Sequence, residues 1–390
     1  MKVWKKKEID SNTIEFRKDE VVVKVPKLIG GKYEVFDILS SGGYGAILQA
    51  KNIALDNREV LIKTSLYHKV KSNLRYKHDR SRKEAIEEMR LNLRLEYERM
   101  IKFRNGGECR MPSVIDVIRD KSPYLYGPHI DKETKEKFYL EEFNKDEVYL
   151  VMQKIDGINL GRYLKVGLRN TLRERNYTSV LLWEKDVLEY MKEITSIFAR
   201  FHKKEYRDEN IRDRDYTYFI YQDLKPDNIM LTYDKFITLI DFGGILEVKN
   251  ENGTIYSNYK NGGIPGCGTD GYWPREMKES PFSLDEKADI YTIGSTMFSL
   301  LTCEDPTENS VSAYTQKINT DKLREIGYTE ETIELVKNAA NLDKEKRHRN
   351  VIQLEKNIKR CLGILNSKLN RSWSIKKEIY NAWKRLNYRW

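Results

Sequence analysis

The stretch FIYQDLKPDNIML, residues 219–231, places an acid, a base and an amide at close spacing directly after a β-branched and aromatic run. Asp223 is suited to accept a hydroxyl proton, Lys225 to neutralise a transferring phosphoryl group, and Asn228 to hold a magnesium ion through its amide oxygen. Further on, ITLIDFGG puts Asp241 at the end of a strand-like run as a second oxygen ligand. Two turn aspartates capping helices would account for either residue singly, but poorly for their shared order.

Working outward, ILSSGGYGAILQA sets Gly42, Gly43 and Gly45 between two strand patterns, where absent side chains let backbone N–H groups approach a phosphate. A hairpin turn would read the same way, and no GK[ST] follows, so this is not a Walker-type loop. The next strand pattern ends in VLIK, which presents Lys63. In EAIEEMRLNLRLEYERMIKF, residues 84–103, apolar residues recur at helical spacing, and Glu96 falls on the face of Leu93, Met100 and Phe103. A carboxylate on that face needs a partner, which Lys63 supplies.

The chain has 390 residues, 39% apolar and 33% charged, enough to bury a core and too apolar for disorder throughout. Lys and Arg number 70 against 60 Asp and Glu, and the excess of +10 is spread along the chain as on a solvated surface. Cys109, Cys267, Cys303 and Cys361 form no CxxC pair and the five histidines no ligand spacing, so neither a zinc site nor a disulfide framework is indicated. MKVWKKKEID lacks an apolar signal core, and the longest apolar run, IYTIGSTMFSLLTC, is too short to span a bilayer. A cytoplasmic protein is expected.

Residues 20–63 read as short strands, EVVVKV, YEVFDILS, GAILQAKNI and EVLIKTS; PSVIDVIRD and EVYLVMQKI add more after the helix. Beyond about residue 157 the pattern turns mainly helical, clearest in VLEYMKEITSIFARFHKK and DIYTIGSTMFSLLTC. A small β-rich part precedes a larger helical one.

Taken together, the glycine loop, VLIK, the helical Glu96, YQDLKPDN and DFG resemble the ordered signature of eukaryotic-type (Hanks-type) serine/threonine protein kinases, over roughly residues 30–363. GTDGYWPRE is similar to the family's GTxxYxAPE, KADIYTIG to its DxxSxG, and DKEKRHR to its DPxxRPT. The resemblance implies a two-lobed α+β fold: an extension at 1–29, an N-lobe at 30–153, a C-lobe at 154–363 and a basic aromatic tail at 364–390.

It also implies roles. Asp223 is the base, Lys225 the phosphate-facing lysine, Asn228 and Asp241 the magnesium ligands, and Lys63 with Glu96 the pair that holds the ATP phosphates. Leu39, Ser40, Ser41, Gly42, Gly43, Tyr44, Gly45, Ile47 and Met230 complete the nucleotide site; Met152 is the gatekeeper, and Gln153 and Ile155 offer backbone groups to adenine. Glu276 and Arg347 would brace the larger lobe, and Asp289 the catalytic loop. The cofactors implied are ATP with magnesium, or manganese in its place, and the partner is a protein substrate.

Several positions depart from the pattern. Ser40 replaces the first loop glycine, and Leu61 stands where the family usually has alanine above the adenine. Tyr221 replaces histidine, keeping an aromatic ring against Phe242, and Gln222 replaces the arginine that pairs with a phosphorylated activation segment. Two alternatives stay open: a catalytically weak pseudokinase scaffold, suggested by Leu61, and a small-molecule phosphotransferase, opposed by GTDGYWPRE and KADIYTIG. In the tail, Trp373, Tyr380, Trp383, Tyr388 and Trp390 lie among Lys and Arg; a helix docked on the larger lobe is favoured over an arm for nucleic acid or an anionic membrane.

Overall fold

The computed structural model describes residues 4–18, 21–41, 45–65, 82–120, 129–130, 137–138, 147–164, 177–206, 216–251, 254–257, 268–279, 284–306 and 318–371. The chain divides into two compact units, Met1–Ile155 and Asp156–Trp390.

In the first unit β1 (Lys5–Glu8), β2 (Thr13–Lys18) and β3 (Val21–Pro26) make a three-stranded antiparallel sheet. A six-stranded antiparallel sheet holds β4 (Leu28–Ile29), β5 (Tyr33–Ser41), β6 (Gly45–Asn52), β7 (Arg58–Ser65) and β8 (Val114–Asp120). After a short hairpin of β9 (His129–Ile130) and β10 (Lys137–Phe138), β11 (Glu147–Gln153) inserts between β7 and β8.

Side chains alternate across this sheet, as a period of two requires. Ala46, Leu48 and Ala50 of β6 and Val60 and Ile62 of β7 are buried, while Ile47, Gln49, Leu61 and Lys63 face the other way and stay half-buried. The buried face shares one core with Ile14, Phe16, Val23 and Val25 of β2 and β3. Strands β2 and β3, within the 1–29 stretch set apart in the sequence as an extension, thus contribute to the core of the first unit. Helix α1 (Arg82–Asn105) buries Met89, Leu93, Met100 and Phe103, and with them the charged Arg90, Glu96 and Arg99.

The second unit opens with β12 (Gly157–Asn159) and α2 (Leu160–Tyr163), followed by the long α3 (Tyr177–Phe201). A four-stranded antiparallel sheet runs β13 (Glu205–Tyr206), β14 (Tyr216–Ile220), then β17 (Leu246–Glu251) and β18 (Thr254–Ser257). Between them in sequence, β15 (Ile229–Thr232) pairs with β12 on one side and with β16 (Ile237–Leu239) on the other.

The remaining helices are α4 (Glu276–Glu279), α5 (Lys287–Thr302), α6 (Asp321–Ile326), α7 (Glu330–Ala339) and α8 (Val351–Arg371). Residues 288–302 of α5 are all buried, and the Thr292 and Thr302 hydroxyls donate to carbonyls of the helix itself. Thr296 donates to the Leu224 carbonyl at 3.0 Å and Ser295 to that of Gly271 at 2.7 Å. These two bonds tether both QDLKPDN and GTDGYWPRE to one rigid helix.

Helix α8 continues through residue 364, where the sequence suggests a separate tail, because Leu365 and Leu369 extend its buried stripe. The tail aromatics from Trp373 to Trp390 lie outside the described residues. Among the described residues no helix is long and apolar enough to cross a membrane.

Candidate active site

In the first unit Lys63 sits in mid-sheet, opposite Ile47 on β6 and Leu150 on β11. Its ammonium reaches Glu96 on α1, Nζ to Oε1 2.8 Å, with both side chains largely buried. Leu61, two residues earlier on the same strand face, pairs with Met152 on one side and Gln49 on the other. Met152 is buried, and the Gln153 N–H donates to the Ser113 carbonyl at 2.9 Å. Ile155 is half-buried at the end of the unit.

Leu39 and Ser40 are exposed at the end of β5, whereas Ser41 pairs with Ala46. Gly42, Gly43 and Tyr44 lie outside the described residues. Gly45 has a reason of its own to be glycine: a Cβ there would lie 2.3 Å from the Thr64 carbonyl oxygen of β7.

In the second unit the segment after β14 is held from below by Asp289 of α5. Its carboxylate accepts the backbone N–H groups of Tyr221 at 2.8 Å and Gln222 at 2.9 Å, and pairs with His202 Nε2 at 2.9 Å. Those bonds stabilise Gln222 in a left-handed conformation, φ 69°, which a non-glycine residue adopts only when its surroundings impose it. The chain then presents Asp223 and closes a turn at Pro226–Asn228.

Around Asp223 the polar groups converge. Lys225 Nζ donates to Oδ2 at 2.7 Å and to the Thr269 hydroxyl at 2.6 Å, and that hydroxyl donates to Oδ1 at 2.7 Å. The Asn228 amide nitrogen donates to the Asp223 carbonyl at 2.8 Å and to Oδ2 at 3.2 Å. This orientation leaves the Asn228 amide oxygen as an acceptor with no donor among the described residues, the property a hard cation's ligand needs.

Asp241 is brought near by the β15–β16 ladder. Ile229 pairs with Leu239, and the Ile240 N–H donates to the Asn228 carbonyl at 3.1 Å, so Asn228 and Asp241 flank one antiparallel pair. Asp241 Oδ1 accepts from the Gly243 N–H at 3.1 Å. Asn228 and Asp241 are thus the oxygen-bearing residues of this segment that would hold a divalent cation. Met230, half-buried, pairs with Asn159 and Thr238.

Tyr221 packs edge-on against Phe242, with centroids 5.8 Å apart at 89°. Gln222, fully buried, donates from Nε2 to the Gly244 carbonyl, so its amide bonds the chain just beyond DFG. Arg347 forks onto Glu276, with Nη2 to Oε2 at 3.1 Å, and adds bonds to the Asn341 and Lys287 carbonyls. Thr269 was not singled out in the sequence, although it is the threonine of the quoted GTDGYWPRE; its hydroxyl is what makes it part of the Asp223 cluster. His202 gave only a lone histidine in FARFHKK.

A family model for the protein kinase domain matches residues 33–366. Among curated proteins, serine/threonine-protein kinase Nek10 of Homo sapiens is 23% identical over 286 residues, which is 73% of this chain and 19% of that protein. Serine/threonine-protein kinase cds1 of Schizosaccharomyces pombe is 25% identical over 52% of this chain and 40% of its own length. Serine/threonine-protein kinase PrkC of Bacillus subtilis is 23% identical over 71% of this chain and 31% of its own. The chain therefore spans less than half the length of each of these relatives. With the family model covering most of the chain, and the β-rich first unit and helical second unit of that fold, the chain belongs to the protein kinase family.

Proposed function

We propose that the chain transfers the γ-phosphoryl group of ATP to serine or threonine hydroxyls of protein substrates. The observation that carries this reading is the cluster in which Lys225, Thr269 and Asn228 all bond Asp223. Asp223 takes the proton of the substrate hydroxyl as its oxygen attacks the γ-phosphorus and the bond to the ADP oxygen breaks. Lys225 keeps a cation beside the transferring group, and the Thr269 hydroxyl fixes the carboxylate's rotation.

Lys63, oriented by Glu96, binds the ATP phosphates. The Asn228 amide oxygen and Asp241 would hold the divalent ion, magnesium or manganese, which when bound neutralises phosphate charge. Lys225 two residues after the base supports hydroxyl acceptors of serine and threonine over tyrosine, as does the similarity to serine/threonine-protein kinases described above.

Labelled ATP offered with a panel of proteins and small alcohols tests the proposal: label should enter protein serine and threonine. Asp241→Asn should abolish transfer without changing the melting temperature, since it removes a charged ligand and no core contact; activity within a few-fold of the parent would refute the assignment. Leu61, half-buried on the face of Lys63, favours a second reading as a weak nucleotide-binding scaffold, for which the same assay would show no label on any acceptor.

A further inference from the structure

Among the buried charges of helix α1, Arg90 has no part in the roles above. Arg90 donates from Nε to both carboxylate oxygens of Glu147, at 3.2 and 3.4 Å, and from Nη2 to Oε1. The Arg90 side chain is 9% exposed and that of Glu147, the first residue of β11, 2%. Three residues along the same strand, Leu150 is the cross-strand partner of Lys63. Two buried ion pairs therefore tie α1 to neighbouring strands, at points about 9 Å apart on the helix axis for six residues of rise.

Their polarity is reversed. At Lys63 the strand supplies the cation and the helix the acid; at Glu147 the strand supplies the acid and the helix the cation. A shift of α1 that exchanged partners would set Arg90 against Lys63 and Glu96 against Glu147, two like-charge contacts in a poorly solvated setting. One ion pair lets a helix pivot about it, whereas a second, forked one fixes both its rotation and its height. A buried ion pair gains little net stability over apolar residues of similar volume, so its main return here is orientation.

We propose that Arg90 and Glu147 are positioning residues that hold α1 where Glu96 meets Lys63, and so set the geometry of the phosphate-binding lysine. The proposal rests on the reading of Lys63 given above. Apolar replacement of both partners should leave the unit folded and the lysine poorly aimed.

The test uses the full chain and four variants: Arg90→Met/Glu147→Leu, Arg90→Lys, Glu96→Gln, and Arg90→Lys combined with Glu96→Gln. The readouts are melting temperature, its rise with magnesium and ATP, KM for ATP, and kcat. The apolar pair should melt within a few degrees of the parent, with kcat/KM lowered about tenfold or more and the ATP-driven rise at least halved. Arg90→Lys should move both in the same direction, and should add nothing once Glu96 is glutamine, because it acts through that residue.

A folded apolar pair with parental kcat/KM and ATP-driven rise would overturn the proposal. So would an Arg90→Lys loss of equal size with and without Glu96, and this second comparison decides alone if the apolar pair fails to fold. Should the parent transfer no phosphoryl group, the proposed function fails while the ATP-driven rise of the same proteins still reports on the Lys63 geometry.

Discussion

Gln222→Met tests whether an amide has taken over a task otherwise given to a phosphate. Methionine keeps the length and volume of glutamine at a fully buried position and removes the donor to the Gly244 carbonyl. The backbone bonds from Tyr221 and Gln222 to Asp289 stay, so the left-handed turn should survive. A net loss of about 1 kcal/mol for the bond, rising toward about 2 if the half-buried carbonyl finds no water, corresponds to roughly five- to thirty-fold in the population of the ordered segment. The assay is labelled-ATP turnover by phosphatase-treated protein, with mass spectrometry confirming that no phosphate remains. Treated parent should keep most of its activity, and the variant should lose about tenfold in kcat with little change in melting temperature. A hundredfold loss on phosphatase treatment, or an unchanged kcat in the variant, would refute the reasoning.

The acceptors on the same segment make a companion test: replacing Thr254, Tyr256, Ser257 and Tyr259 with Ala or Phe should lower activity by less than about tenfold, and a larger loss would mean that another cation reads a loop phosphate. Leu61→Ala should enlarge the melting-temperature rise produced by magnesium and ATP if leucine crowds the nucleotide; the rise is compared, because the substitution also lowers the ligand-free stability. An unchanged rise would remove the support for a scaffold. Burial pushes the His348 imidazole down to about 4, so the unfolded chain binds its proton first as pH falls. Its share of stability is complete above about pH 6.5 and lost between there and pH 4, on the order of 3 kcal/mol; His348→Asn should flatten that part of the pH dependence of unfolding, and an unchanged slope would sink the assignment. Burial raises the Glu184 carboxyl against its Thr329 and Thr332 bonds, which works in the opposite sense, so the comparison must be variant against parent.

Much of the fold could be read because the pattern and the packing agree. VLIK and GAILQAKN alternate with the sheet's two faces, and the stripe Leu93, Met100, Phe103 is the buried face of α1. What the sequence hid was the burial of Ile14, Phe16, Val23 and Val25 of β2 and β3. KKKE of β1 is fully exposed and TIEFRK mixes charge with its apolar positions, yet Ile14 and Phe16 enter the core of the six-stranded sheet. Nothing local distinguishes a strand that covers another sheet from one that stands alone, since the partner face lies tens of residues away in sequence. The family pattern ends near residue 363, but the helical spacing of Leu362, Leu365 and Leu369 carries α8 on to Arg371.

The candidate site divides along a similar line. Residues whose chemistry is in their charge, Asp223, Lys225, Lys63 and Glu96, stand out because an ionised group in an apolar context needs a reason. Thr269 is neutral and common on surfaces, and only its bond to Asp223 gives it weight; Gln222 stood out as a missing arginine, but its bond to the Gly244 carbonyl could not be read from the sequence. Arg90 and Glu147 were charged and still missed, because their meaning lies in a pairing across 57 residues. The same distinction sorts how each should fail under mutation. Removing a charge that faces the reacting group abolishes a step and leaves the fold, whereas removing a neutral bond or a remote ion pair shifts a population. Graded losses that depend on Glu96 or on the state of the segment beyond DFG would therefore mark the second kind, and an all-or-none loss at Gln222 or Arg90 would place those residues in contact with the chemistry itself.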